Sequence, residues 1–199
     1  SILWCSFIPR FICLCFDGLC GFYRNQYTFS SPLHNATDQI SVYALIKNDG
    51  LEPTGIAKRL VEAWSGAGGW YLELEESDKP NFGAGTHGVD SISLNRSHTI
   101  ASVGQWDLVY GTYIYNPEDP NYIQTYYNGI ASTDKDHGGI ELPITYDTNV
   151  HLSIGGRRLG SNWAEALKGQ VAEILVFNSV RQAQQDQVKE YLLNKYADI

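Results

Sequence analysis

Methionine is missing altogether from the 199 residues, and cysteine is missing from everything after Cys20. Without a start residue the chain reads as a mature, excised or partial product. Its cysteines are Cys5, Cys13, Cys15 and Cys20, so an intrachain disulfide can close only a short local loop, and the alternative pairings stay open. Cys13 and Cys15 fall on the same side of a strand, which disfavours their pairing with each other. The paired Cys-x-x-Cys spacing of a zinc knuckle is absent. So is an apolar run long enough to span a bilayer, about 20 residues; the longest candidate, Ser1–Phe22, is broken by Pro9-Arg10 and Asp17. Basic residues are scarce, 14 Lys and Arg against 22 Asp and Glu, and the formal charge of −8 argues against nucleic acid as a partner, since neutralising phosphates needs a basic face. The histidines are dispersed without metal spacing, and no Gly-x-Ser-x-Gly elbow occurs. No repeat or low-complexity linker divides the chain.

What is present reads as strand. Apolar or alternating runs occupy Gln39–Lys47, Trp70–Leu74, Val89–Leu94, Gln105–Tyr115, Ile123–Tyr127, His151–Ile154 and Gln170–Phe177, with Gly, Pro, Asn and Asp between them. Phe11–Phe16 reads as a Cys-rich first strand, a leader remnant being the alternative. Asn128-Gly129 between apolar flanks predicts a two-residue hairpin, because both central positions of a type I′ turn need positive φ. Such a series of short strands predicts an all-β fold, an antiparallel two-sheet jelly-roll sandwich. Only the end departs from it. Ser179 followed by Gln182 fits a capping box, and Val188, Tyr191, Leu192 and Tyr196 recur at helical spacing. They predict a short C-terminal helix over Val180–Tyr196, with Val188, Leu192 and Tyr196 held against the sandwich. The expected organisation is an apolar Cys-rich segment over 1–15 and one sandwich domain over 16–199, a size that suits a single core.

The same ending carries a resemblance. Gly169, Ala172, Glu173 and Asn178, followed by Tyr191-Leu192-Leu-Asn-Lys195-Tyr196, resemble the closing strand and helix of the laminin-G-like jelly rolls. These belong to the concanavalin A-like lectin and glucanase superfamily. Trp106-Asp-Leu-Val-Tyr110, Tyr126-Tyr-Asn128-Gly129 and Leu152-Ser-Ile154-Gly155-Gly156-Arg157 follow the family's order, and Asp17-Gly18 before Phe22-Tyr23 resembles its entry motif. The resemblance implies the jelly roll; the scaffold itself hosts lectins, adhesion modules and glycosidases alike.

Several motifs invite chemistry. Gly83-Ala-Gly85-Thr-His-Gly88 matches the dinucleotide fingerprint by letter, but a strand pattern follows it where a helix is required, so it reads as a flexible loop. Glu73 and Glu75 share a strand face, as a glycosidase pair would. The family's glucanases carry Glu-x-Asp-x-x-Glu, and Glu73-Leu-Glu75-Glu76-Ser-Asp78 departs from it with Glu75 in place of the Asp and Asp78 in place of the last Glu; a solvated strand face is the expectation. Glu173, among apolar neighbours, is either an outer-face carboxylate or a buried one that must be paired. Asp134-Lys-Asp136 begins like a calcium loop but lacks the remaining EF-hand ligands. The resemblance adds rim-bound Ca²⁺ as a candidate cofactor, with Asp134 and Asp136 as weak candidate ligands. Asn35-Ala-Thr37 and Asn95-Arg-Ser97 are glycosylation sequons.

The aromatics bear most on function. Trp106 and Tyr110 share a strand face and read as core, whereas Tyr115, Tyr122 and Trp163 lie in or beside loops. Such rings stack on sugar faces while amides and carboxylates bond the hydroxyls. The expected binding set is Trp163, Tyr115 and Tyr122 with Asn162 and Asp119 as polar partners, drawn from loops at one rim. The leading expectation is a non-catalytic module binding a glycan or an extracellular protein, in a secreted or surface-displayed setting, with no catalytic residues assigned. A carbohydrate-active hydrolase or lyase is the first alternative, and a structural module of a surface or virion assembly the second.

Overall fold

The strand Gln39–Asn48 shows why this chain must build two layers and then cover one of them. Ile40, Val42, Ala44 and Ile46 face one way, Tyr43 and Leu45 the other, and both rows are buried. A strand apolar on both sides needs packing on both sides. The computed structural model describes residues 3–4, 11–15, 38–50, 57–65, 68–75, 77–86, 92–97, 99–116, 123–136, 143–146, 150, 152–159, 162–180 and 182–197.

Among these, the larger sheet runs β1 (Leu3–Trp4), β2 (Phe11–Cys15), β15 (Gly169–Phe177), β3 (Gln39–Asn48), β8 (Trp106–Ile114), β9 (Ile123–Tyr127) and β10 (Ile130–Ala131). The second runs β11 (Asp134–Asp136), β7 (Ile92–Arg96), β6 (Pro80–Gly85), β5 (Gly68–Leu74), β4 (Lys58–Ser65) and β12 (Leu152–Ile154). Every pairing in both sheets is antiparallel. The fold is the two-sheet sandwich expected. Ile40, Val42, Val109, Tyr113, Ile174 and Val176 of one sheet meet Leu60, Trp70, Leu72, Leu74 and Phe82 of the other in one buried core. A separate hairpin, β13 (Arg157–Leu159) with β14 (Asn162–Ala164), follows β12.

Tyr43, Leu45, Leu108, Tyr110, Ala172 and Leu175 form a second apolar cluster on the outer face of the larger sheet. The closing helix α1 (Gln182–Lys195) covers it with a fully buried Leu192, flanked by Val188 and Tyr196. Its start lies slightly inside the expected one, and the Ser179 hydroxyl bonds the Gln184 side chain at 3.3 Å. Glu173 is completely buried and is paired, with Lys195 Nζ at 2.9 Å and the Tyr191 hydroxyl at 3.2 Å. That ion pair fixes where the helix sits along the sheet.

The Asn128-Gly129 turn forms as expected, with φ of 49° and 84°. Asn128 also accepts the Leu108 amide through Oδ1 and donates to Asp107 through Nδ2. Two expectations are overturned. Gly83 and Gly85 lie inside β6 and are no flexible loop: the Tyr71 ring lies over Gly83, where a Cβ would collide with it. Asn95, the second sequon's acceptor, is fully buried, and its side-chain oxygen accepts the Thr125 amide while its carbonyl accepts the Thr125 hydroxyl. It bridges the two sheets, so the folded domain offers no amide there for a sugar. Asn35 lies outside the described residues.

Candidate functional site

The densest polar chemistry among the described residues stands on the outer face of the second sheet. It begins with a β-bulge. Between Arg59 and Val61 strand β4 carries one residue more than β5 opposite, so Leu60 and Val61 both enter the core and Arg59 is set in register with Glu73. The Arg59 guanidinium then lies 3.7 Å from the centre of the Tyr71 ring. Its NH1 reaches Glu73 at 2.9 Å, and its Nε reaches Glu165 at 2.9 Å and Glu62 at 3.5 Å. Asn81 Nδ2 donates to Glu73 Oε1 at 2.8 Å, and Trp64 meets Tyr71 edge-on at 5.3 Å. Further along, Glu75 pairs with Arg96 at 3.0 Å.

The expected solvated face is therefore a buried one. Arg59, Glu62, Glu73 and Asn81 are each at most 6% exposed. Burial pushes the Glu73 carboxyl above its usual value, although Arg59 and Asn81 pull it back. Burial acts to lower the Arg59 value, but the Glu73 and Glu62 carboxylates outweigh it and hold the guanidinium charged. Burial likewise raises the Tyr71 phenol, which stays protonated. Each carboxylate here is occupied by a cation or an amide, an arrangement suited to holding structure in place and unsuited to presenting a free acid and a free nucleophile.

Glu165 links this cluster to the hairpin. Its Oε1 takes Arg157 NH1 at 3.1 Å while Oε2 takes Arg59, and its carbonyl accepts the Arg59 amide at 2.8 Å. Hence the hairpin that carries Asn162 and Trp163 is rooted beside Arg59. Within it Trp163 stands in register with Arg158, and Asn162 with Leu159.

The other expected residues lie elsewhere. Tyr115 follows β8, its amide bonded to the Asp38 carbonyl, and its ring is half-buried against the sandwich core. Lys47 opposite Trp106 marks one end of the larger sheet and Gln39 opposite Ile114 the other. The hairpin returns into Gly169, opposite Asn48, so it is rooted at the first end; Tyr115 lies at the second. The length of β8 separates them, roughly 30 Å at about 3.4 Å per residue. Asp119 and Tyr122 lie outside the described residues, in the segment that leaves Tyr115 and enters β9. Asp134 and Asp136 belong to β11, in register with Arg96 and Leu94.

Sequence reasoning missed Arg59, Glu62 and Glu165. A charge inside an otherwise apolar run, Lys58-Arg59-Leu60-Val61-Glu62, was the signal available, since such charges on a covered strand require partners.

A laminin-G-like family model, described as concanavalin A-like lectin/glucanases superfamily, matches residues 23–185. No curated protein matches the chain. A solved structure of the CBM40 of a Ruminococcus gnavus IT-sialidase, bound to alpha2,3 sialyllactose, is 10% identical, with TM-score 0.57 over 77% of this chain and 83% of that one. The NanB sialidase of Streptococcus pneumoniae is 14% identical, with TM-score 0.60 over 84% of this chain and 26% of that much longer one. A structure called a receptor binding domain is 12% identical, with TM-score 0.58 over 96% of this chain and 44% of that one. At these identities the likeness is one of fold.

Proposed function

The chain belongs to the concanavalin A-like lectin and glucanase superfamily, and from that premise we propose that it is a non-catalytic glycan-binding module of a secreted or surface-displayed protein. The observation that carries this reading is the sandwich shared with a carbohydrate-binding module solved with sialyllactose. The chemistry of the second sheet supports the non-catalytic part. Glu73, Glu75 and Glu165 are each committed to an arginine, and neither an acid with a free proton path nor an unpaired nucleophile stands among these three.

The binding residues in this reading are Trp163 and Asn162 on the hairpin, where an indole offers a stacking face and an amide offers both donor and acceptor to sugar hydroxyls. Tyr115, at the other end, marks a separate candidate patch, to which Tyr122 and Asp119 are assigned from the sequence alone. Rim-bound Ca²⁺ remains part of the proposal only as a ligand-ordering ion, with Asp134 and Asp136 as the residues to test.

A glycan array that includes sialylated and neutral oligosaccharides, run with Ca²⁺ and with chelator, tests the reading. Trp163→Ala should weaken the bound glycan by about 1–3 kcal/mol, the cost of a binding hot spot, without changing the fold. Tyr122→Ala should do so only if the far patch is the site. Glu73→Gln and Glu75→Gln should alter no hydrolysis. An array with no retained glycan would refute the proposal, and polysaccharide hydrolysis abolished by either Glu substitution would replace it with the glycosidase alternative.

A further inference from the structure

The hairpin β13–β14 raises a question that its own few residues do not answer. It is two strands of three residues, too little to hold one conformation without outside support. Its support converges on one residue. Glu165 adopts φ 53°, one of three non-glycine residues at positive φ among those described. A glutamate has no local reason to prefer that conformation and keeps it only where surrounding contacts impose it. The contacts are there. One carboxylate oxygen takes Arg157, on the outgoing strand of the hairpin, and the other takes Arg59 on β4. The Glu165 carbonyl accepts the Arg59 amide, Ala166 bridges to Arg59, and the Leu167 amide donates to the Gly155 carbonyl at 2.9 Å. The guanidinium that anchors all this is itself immobilised by Tyr71, Glu73 and Glu62.

We propose that Glu165 is the positioning residue of the glycan site: by clamping Arg157 to Arg59 it sets the hairpin, and with it Asn162 and Trp163, in a fixed attitude on the sandwich. This rests on the reading of the hairpin as the binding element. Glu165 touches no glycan in this scheme. Its contribution is pre-organisation, because a hairpin ordered before binding does not have to be ordered by the ligand. The buried network under Arg59 acquires a purpose in the same way. It fixes the anchor so that a strained residue can be held against it.

Amide hydrogen exchange of the free protein decides the matter without any ligand. Glu165→Gln removes the charge and keeps the length; exchange over 157–164 should rise roughly tenfold, the order expected for losing a charge-assisted bond. Exchange in β3, β8 and α1 should stay as it was. Glu165→Asp, which keeps the charge and tolerates positive φ, should recover part of the protection. Glu165→Gly, which keeps the conformation and loses the carboxylate, should not. Because Arg59 is deeply buried, Arg157→Gln serves as the second variant: it cuts the outer half of the clamp and should loosen the same segment by less. On the glycan array, Glu165→Gln should weaken retention in proportion to the lost protection. Hairpin exchange unchanged in Glu165→Gln overturns the proposal whatever the array shows. Loosened exchange with a Trp163→Ala variant that binds normally keeps the clamp and removes the hairpin from the glycan site, which overturns Glu165 as a residue of that site.

Discussion

The two outer faces of this sandwich are covered by opposite chemistry. On the larger sheet Tyr43, Tyr110 and Tyr126 stack across three strands at 4.8 and 4.4 Å, Phe177 meets Tyr43 edge-on at 5.8 Å, and α1 lies over them. On the second sheet Arg59, Glu62 and Glu73 are covered while charged, with Glu165 closing the network. Apart from the buried Glu173–Lys195 pair, the apolar face is held by area, so its ring and aliphatic contacts contribute in proportion to what they hide. The charged face is held by completeness. Every buried charge was taken out of water at a cost, and only its particular partners offset that cost. Of the two, the second is the more brittle and the better suited to fixing a position.

Four changes would break or sharpen that contrast. Arg59→Ala should be the most damaging, on the order of 3–5 kcal/mol, because it strands Glu73 and Glu62 in a dry site; urea denaturation reads it directly. Leu192→Ala, which opens a hole under α1, should cost about 3 kcal/mol. A loss in Arg59→Ala no larger than in an exposed control would mean that the charged face is not a cooperative network. Gly129→Val tests the turn at the end of β9 and should cost about 1–2 kcal/mol, chiefly from forcing a β-branched residue to positive φ. The Cβ also meets Lys189 Nζ at 2.5 Å, but a lysine tip moves easily.

The smallest effect concerns pH. Glu73 binds its proton more tightly in the fold than in the unfolded chain, because burial raises its value. Its contribution to stability is therefore complete below the unfolded carboxyl range, about 4.3, and is lost as pH rises through the folded value. Glu73→Gln should remove that dependence, so the stability difference between wild type and variant should move against the wild type as pH climbs from about 4 toward neutrality. A difference that is flat across this window would show that the carboxylate is fully compensated by Arg59 and Asn81.

Much of the architecture is legible in the order of residues alone. Residues 39–47, 105–115, 123–127 and 170–177 announce themselves as strands by apolar runs, and β3, β8, β9 and β15 occupy nearly those limits. The Asn128-Gly129 turn and the helix with Leu192 are equally plain, since turn chemistry and helical spacing are local properties of neighbouring residues. β4 and β6 are not. Lys58, Arg59 and Glu62 obscure the first as a strand, and Pro80, Gly83 and Gly85 weaken the second; each is a strand because of what it pairs with.

The sequence by itself determined the fold class, the family and the inventory of rings and charges. Tertiary structure alone decided that Glu73 is buried and answered by Arg59, that Asn95 is a bridge between sheets and offers no surface amide, and that Tyr115 and the Trp163 hairpin are rooted at opposite ends. The reason is the range of the forces involved. Periodicity is set by the geometry of adjacent residues, but a single bulge between Arg59 and Val61 re-aims a side chain across the sheet, and the partner it finds lies far along the chain. Nothing in the local pattern encodes which distant carboxylate will be waiting there.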